Sequence, residues 1–231
     1  MLNINTNYAA SFASNAAKSA SQGLDSAMEK LSTGSRINYA KDDAAGQAIA
    51  TRLSAEIGGL AMASRNAADA QSLVDTADGA LQESHSVLLR MRELAVQSAN
   101  GTLTDADRLN TDAEFQQLEA ELTRIADNTT FAGLKLLDGS FKGSTTNPAL
   151  SFQIGEGANQ TITVSIADFD STALSLNSNA VSTATKAQTS ITAIDAAISV
   201  VSGGRGELGA VSNRFDHIID NLQNVIMNTV A

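Results

Sequence analysis

The sequence predicts a mainly α fold: an elongated antiparallel helical bundle or coiled-coil rod, with a small β-hairpin region inserted between the N- and C-terminal helices. Three observations predict it. Apolar residues recur at alternating steps of three and four over about 43–99 and again over about 183–230. A single proline, Pro148, stands among 231 residues, so nearly the whole chain is free to be helical. Aromatic residues make up 4% and Trp is absent. A core filled by Ala, Leu, Ile and Val suits closely spaced helices better than a wide sandwich.

Taken in order, residues 1–42 are rich in Ala, Ser and Asn, with apolar positions at Leu2, Tyr8, Phe12, Leu24, Ala27, Met28 and Leu31. The last four keep helical spacing, but the stripe is thin. A thin stripe buries little surface and a lone helix is marginal in water. An arm that orders only on a partner helix is expected here. Residues 43–137 together with 181–231 form the expected helical rod core, and 138–180 the expected short variable insert.

The first long helix is expected over about 43–99. Ile49, Leu53, Ile57 and Leu60 step by four, four and three, and Leu73, Ala77, Ala80, Ser84, Val87, Met91 and Leu94 continue the alternation. At 1.5 Å per residue such a helix is roughly 80 Å long. Asn100-Gly101 reads as its C-cap. Thr104 then caps a second helix, with Asp105 and Asp107 in the first turn, where the helix dipole favours acids. Phe115, Leu118, Leu122 and Ile125 are its apolar face, and the short connection folds it back antiparallel.

The period changes from about Phe131. Leu134–Leu137 before Asp138-Gly139 reads as strand and turn, and Ser151–Ile154 with Thr161–Ile166 as a hairpin joined by the turn-rich 155–160. The Ser/Thr/Asn-rich stretches 144–147 and 171–185 read as surface loops. The last helix carries Ile191, Ile194, Ile198, Val201, Leu208, Val211, Phe215, Ile218, Leu222 and Val225 across Gly203-Gly204, which reads as a tolerated weak point. It stays in phase to Val230-Ala231 without a cap, from which a truncated C-terminus is expected.

Charge and composition narrow the function classes. Lys and Arg number 15 against 25 Asp and Glu, a net charge of -10. A surface that acidic repels phosphate backbones, so no nucleic-acid partner is expected. Cysteine is absent, which removes disulfides and thiolate metal sites. No apolar run reaches the roughly 18 residues that span a bilayer, so no membrane insertion is expected. The first residues show no cleavable secretory signal.

Candidate chemistry is sparse. Gly204-Arg205-Gly206-Glu207-Leu208-Gly209 fits G-x-G-x-x-G, but a dinucleotide site needs a strand before it and a helix N-terminus after it. Here it lies inside a helical stripe. His85 and His217 fall in separate helices outside any metal-binding spacing. Glu114, Glu119 and Glu121 read as a solvated helix face rather than a carboxylate pair. The reading is a non-enzyme without cofactor or metal.

One segment stands apart. Leu31–Ala50 (LSTGSRINYAKDDAAGQAIA) is an apolar end, a glycine turn, a polar crossing and a new helix with Asp42 and Asp43 at its positive end. It closely resembles the N-terminal segment of bacterial flagellins. The resemblance extends through Arg90–Asn100 (RMRELAVQSAN), Asn128–Leu137 (NTTFAGLKLL) and Gly206–Phe215 (GELGAVSNRF), in family order.

The resemblance implies a self-assembling structural subunit of the flagellar filament, extracellular, exported unfolded through a type III apparatus without a cleaved signal. It implies partners: other copies of the subunit, an export chaperone, and cap and junction proteins. Family arms pair as coiled coils in the filament core, which places subunit assembly on Leu24, Met28, Leu31, Arg36, Asp42 and Asp43. Flagellins usually continue past the position of Ala231 into a C-terminal arm, so this chain alone is expected not to form ordinary filaments. Family members often carry O-glycans on exposed Ser/Thr, which implies candidate sites at 144–147 or 171–175. The resemblance also implies recognition by the vertebrate Toll-like receptor for flagellin, at Arg90, Leu94 and Glu114. Leu89 stands where many recognised members have Gln, and Leu118 where some have Arg. Two alternatives are a hook-filament junction protein, against which the unbroken Lys41–Ala50 block counts, and a flagellin-like surface adhesin or glycan-binding protein. With Tyr8 and Tyr39 the only tyrosines and no Trp, a glycan-stacking site has little to use.

Overall fold

A computed structural model describes residues 7–230. Leu2 and Ala231, on which parts of the sequence reading fall, lie outside the described residues. The chain forms two compact units, Met1–Glu56 and Ile57–Ala231.

The first unit contains α1 (Tyr8–Thr33) and the start of α2 (Ala44–Ala99). The Asn7 side chain caps α1 by accepting from the Ala10 amide at 3.2 Å. No residue of α1 is buried, as the thin stripe predicts. Gly34 ends the helix at φ 68°, a conformation that a Cβ disfavours. The crossing that follows is closed by short polar side chains. Thr33 donates to Asn38 Oδ1 at 2.9 Å. Asp42 accepts from the Asn38 and Tyr39 amides at 3.3 and 3.2 Å. Asp43 caps α2, its Oδ1 accepting from the Gly46 amide at 2.9 Å and its carbonyl from Gln47 at 3.0 Å. A Cβ on Gly46 would stand 2.5 Å from Asp43 Oδ2 and 2.8 Å from Ile37 Cδ1, so a larger residue there has to displace the capping carboxylate and the Ile37 tip.

The second unit holds the core. Along α2 the buried stripe runs from Leu60 through Ala63, Ala67, Ala70, Leu73, Ala77, Leu81, Ser84, Leu88 and Met91 to Leu94 and Ser98. Ile49, counted in the stripe from spacing alone, is 52% exposed, because the core begins only at Leu60. Ala63, Ala67 and Ala70 are the part that periodicity did not reveal. Their small side chains let neighbouring helices come close, and close packing is where dispersion accumulates.

α3 (Asp105–Asn128) starts with the expected Thr104 cap, here a full capping box with Asp107. Phe115, Leu122 and Ala126 are buried on it, with Leu118 packed against the core. The end of α2 differs from expectation. Gly101 is not among the glycines with positive φ. The helix is instead closed by the buried Arg108 of α3, whose Nε donates to the Ser98 carbonyl and Nη2 to the Asn100 carbonyl, both at 2.8 Å. The Ser98 carbonyl is an acceptor of the last turn, the Asn100 carbonyl just past it also accepts from the Leu103 amide at 3.4 Å, and a cation there suits the helix dipole.

α4 (Ala184–Val230) buries Ala187, Ser190, Ile194, Ala197, Val201, Leu208, Phe215 and Leu222. It passes through Gly203-Gly204 unbroken. Gly204 is no mere weak point: a Cβ there would stand 2.5 Å from Phe169 Cζ. Three polar rungs join α2 to α4: Gln71 to Asp216 at 2.7 Å, Arg205 to Asp78 at 2.8 Å, and Arg92 to Asp195 at 2.6 Å. Numbers rise on α2 as they fall on α4, so the two helices run antiparallel. Positions 71, 78 and 92 are whole heptads apart.

Two small antiparallel hairpins lie between α3 and α4. β1 (Thr130–Phe131) pairs with β2 (Leu134–Lys135) around Ala132 at φ 50° and Gly133 at φ 83°, a turn with the left-handed pair that tight hairpins need. β3 (Leu150–Gln153) pairs with β4 (Thr161–Val164), Phe152 facing Ile162. Phe152 then meets Phe215 of α4 edge-on at 6.0 Å. Residues 171–185 are only partly the surface loop that their composition suggests, since Leu174, Leu176 and Val181 are buried. The polar residues between them kept that burial out of sight.

Candidate functional site

Two surfaces collect the residues singled out by sequence. The first is α1 and its turn. Leu24, Met28 and Leu31 lie on one arc of the helix by their four-three spacing, and all three are exposed. Tyr8 and Phe12, one turn apart nearer the N-terminus, are 79% and 78% exposed. Large apolar side chains left in water over a whole helix mark a contact surface. Arg36 is exposed in the turn. Asp42 and Asp43 are engaged within the turn: the Tyr39 amide, foremost, holds the Asp42 carboxyl below its usual range. The Lys41 ammonium sits 4.8 Å over the Tyr39 ring, and the Glu29 carboxylate beside Tyr39 raises its phenol. This crossing therefore has a fixed shape, set by its own charges and caps.

The second surface lies on α2 and α3. Arg90 Nε and Nη2 reach Glu114 Oε1 at 2.9 and 2.8 Å, and its Nη1 reaches Glu93 at 3.0 Å. Both carboxylates, Glu114 first, raise the Arg90 guanidinium. Glu93 was missed by sequence reading, although its i,i+3 spacing from Arg90 is a legible signal. Leu94 does not join this surface. It is 2% exposed and packs in the core, as its place in the apolar stripe also demands. Leu89 is exposed beside Arg90, and Leu118 is half-buried.

The remaining candidates stay dispersed. The G-x-G-x-x-G run lies within α4, with no strand before it. His217 is exposed and His85 half-buried, its Nδ1 without a hydrogen-bond partner. Glu121 pairs with Arg124, while Glu119 turns to Ser171. Among the described residues no His/Asp/Glu group is arranged to hold a metal ion, and no helix is long and apolar enough to cross a membrane. Of the hydroxyls expected as candidate glycan sites, Ser144, Thr145, Thr146, Thr172 and Ser175 are exposed whereas Ser171 is buried.

Comparison with known proteins accounts for the helices and the turn together. Residues 4–142 match the bacterial flagellin N-terminal helical region and residues 191–231 the bacterial flagellin C-terminal helical region. A flagellin of Halalkalibacterium halodurans is 46% identical over 207 residues, covering 89% of this chain and 74% of that protein. The B-type flagellin of Pseudomonas aeruginosa is 49% identical over 173 residues, covering 75% of this chain but 34% of that longer protein. Among solved structures, Bacillus cereus flagellin matches with TM-score 0.60 at 35% identity, over 73% of this chain and 95% of that one. Both helical regions and the polar turn between α1 and α2 thus fall within matched sequence, and the chain belongs to the bacterial flagellin family, as a structural subunit of the flagellar filament.

Proposed function

We infer that this chain assembles with other copies of itself through the exposed apolar arc of α1, with the polar turn at 34–43 fixing the direction in which that arc is presented. The observation that carries this reading is a 26-residue helix with no buried residue but with Leu24, Met28 and Leu31 exposed along one arc. Burying a Leu or Met side chain is worth about 1.5–3 kcal/mol, so covering three of them offsets the ordering cost of a marginal helix. Contact with export, cap and junction proteins, and display outside the cell, belong to the same reading. Replacing all three with Ser (L24S/M28S/L31S) is expected to lower incorporation of this chain into polymer grown on seeds of a full-length flagellin about tenfold or more, while melting of the 57–230 region stays unchanged. Seeded polymerisation followed by sedimentation and electron microscopy reads this directly. Undiminished polymer from the variant overturns it.

A second reading concerns the Arg90 surface. Arginine is enriched among the residues that dominate interfaces once covered, and Arg90 is held exposed and oriented by Glu114. Recognition by the Toll-like receptor for flagellin would rest here on Arg90, Glu114 and their neighbours, with Leu94 acting from beneath as a support. Arg90→Ala is expected to lower receptor signalling in a reporter cell without shifting the melting temperature. Equal signalling by the parent and variant chains rejects this assignment.

A further inference from the structure

Between β4 and α4 the chain makes a compact loop that is held in an unusual way. Every backbone-to-backbone hydrogen bond within residues 170–181 is internal: Leu174 to Asp170, Ser175 to Thr172, Leu176 to Ser171 and Asn179 to Leu176. Side chains add to the closure, with the Ala173 amide on Asp170 Oδ1 at 2.6 Å and Asn179 Nδ2 on the Ser175 carbonyl at 2.8 Å. Ser175 adopts φ 58° to complete the turn.

The loop is fastened to the helices by side chains only. Asp112 accepts the Val181 amide at 2.6 Å, Gln116 donates to the Asn179 carbonyl at 3.1 Å, and Thr123 donates to Ser171 Oγ at 2.9 Å. Burial raises the Glu119 carboxyl, and a hydrogen bond from the Ser171 hydroxyl partly opposes that shift. From α4, Ser190 donates to the Ala180 carbonyl at 2.9 Å. Positions 112, 116, 119 and 123 step by four, three and four, so they form one polar stripe of α3 beside its apolar face. Leu174, Leu176 and Val181 plug the core beneath.

We propose that residues 170–181 are a strap that lifts from and returns to the core as one unit, latched by the Asp112–Gln116–Glu119–Thr123 stripe of α3. Its internal bonds are single turns that open once the segment leaves the core, and its fastenings are a few side-chain hydrogen bonds and three apolar side chains. Segments held by so few buried contacts open at a lower free energy than the helices around them. The latch residues fall within the matched N-terminal region, whereas the strap lies in residues 143–190, between the two matched regions. A strap of different sequence could therefore be carried on the same helical frame.

Hydrogen exchange of the whole chain, read by mass spectrometry and NMR, tests this from both ends. Asp112→Ala removes the fastening at Val181. It is expected to speed exchange of the Leu174 and Leu176 amides, which bond to Asp170 and Ser171, by about tenfold. Thr123→Val, at the far end, is expected to speed exchange at Val181 similarly. Amides of α3 and α4 keep their parent rates in both variants, and Asp112→Asn, which retains an acceptor, stays near the parent. Acceleration confined to the altered fastening, or shared with α3 and α4, or absent, overturns the proposal.

Discussion

Phe215→Ala is expected to destabilise the 57–231 unit by about 3–5 kcal/mol, the cost of emptying a large aromatic from a packed core. Phe215 is fully buried on α4 and stands perpendicular to the Phe152 ring of the β3–β4 hairpin. The substitution removes the ring that joins the hairpin to the helices, and the short hairpin cannot collapse far enough to refill the space. A drop in the thermal midpoint of about 10–15 °C follows for a unit of this size, measured by far-ultraviolet circular dichroism. Phe152→Ala in the same background should add less than its own single cost, since the ring pair itself is worth about 0.5–1.5 kcal/mol. Full additivity, or a loss below about 1 kcal/mol for Phe215→Ala, contradicts the packing described.

Arg108→Met is the second large effect. The methionine keeps the apolar stem in place but withdraws both donors from the Ser98 and Asn100 carbonyls. Hydrogen bonds from a charged donor are worth about 1.5–3 kcal/mol, and the last turn of α2 loses its closure. We expect a loss of about 2–3 kcal/mol, together with fast amide exchange in the 100–104 turn. Arg108→Lys should recover only part of the loss, because an ammonium lacks the planar fork that spans two carbonyls. An unaffected turn in Arg108→Met would falsify the capping role.

The helices were legible because Leu, Ile and Val at three-four spacing have few other uses. Thr104 with Asp107 was legible as a start signal for the same reason: its chemistry is local. The alanines at 63, 67 and 70 were not, since alanine is as common on solvated faces as in tight seams. Arg108 and Gly204 were not, because their partners stand on other elements: two carbonyls of α2, and the Phe169 ring. At the candidate surfaces, the α1 arc and Arg90 with Glu114 were read from pattern and resemblance. Leu94 was drawn into the patch by resemblance, while the stripe that also contained it pointed inward. Where local periodicity and a transferred role disagree about one side chain, burial follows the periodicity.

The polar rungs between α2 and α4 bear on how errors are rejected during folding. Two long, alanine-rich helices with heptad-spaced apolar stripes can pair almost as well after sliding by seven residues. In the observed alignment Gln71 faces Asp216 and Asp78 faces Arg205. Sliding α4 by one heptad in one direction sets Asp78 against Asp216, two carboxylates with no cation between them. Sliding it the other way leaves Asp78 without its arginine. The greasy seam supplies adhesion that is nearly indifferent to alignment, and a few charges make every near-miss cost more than the correct match.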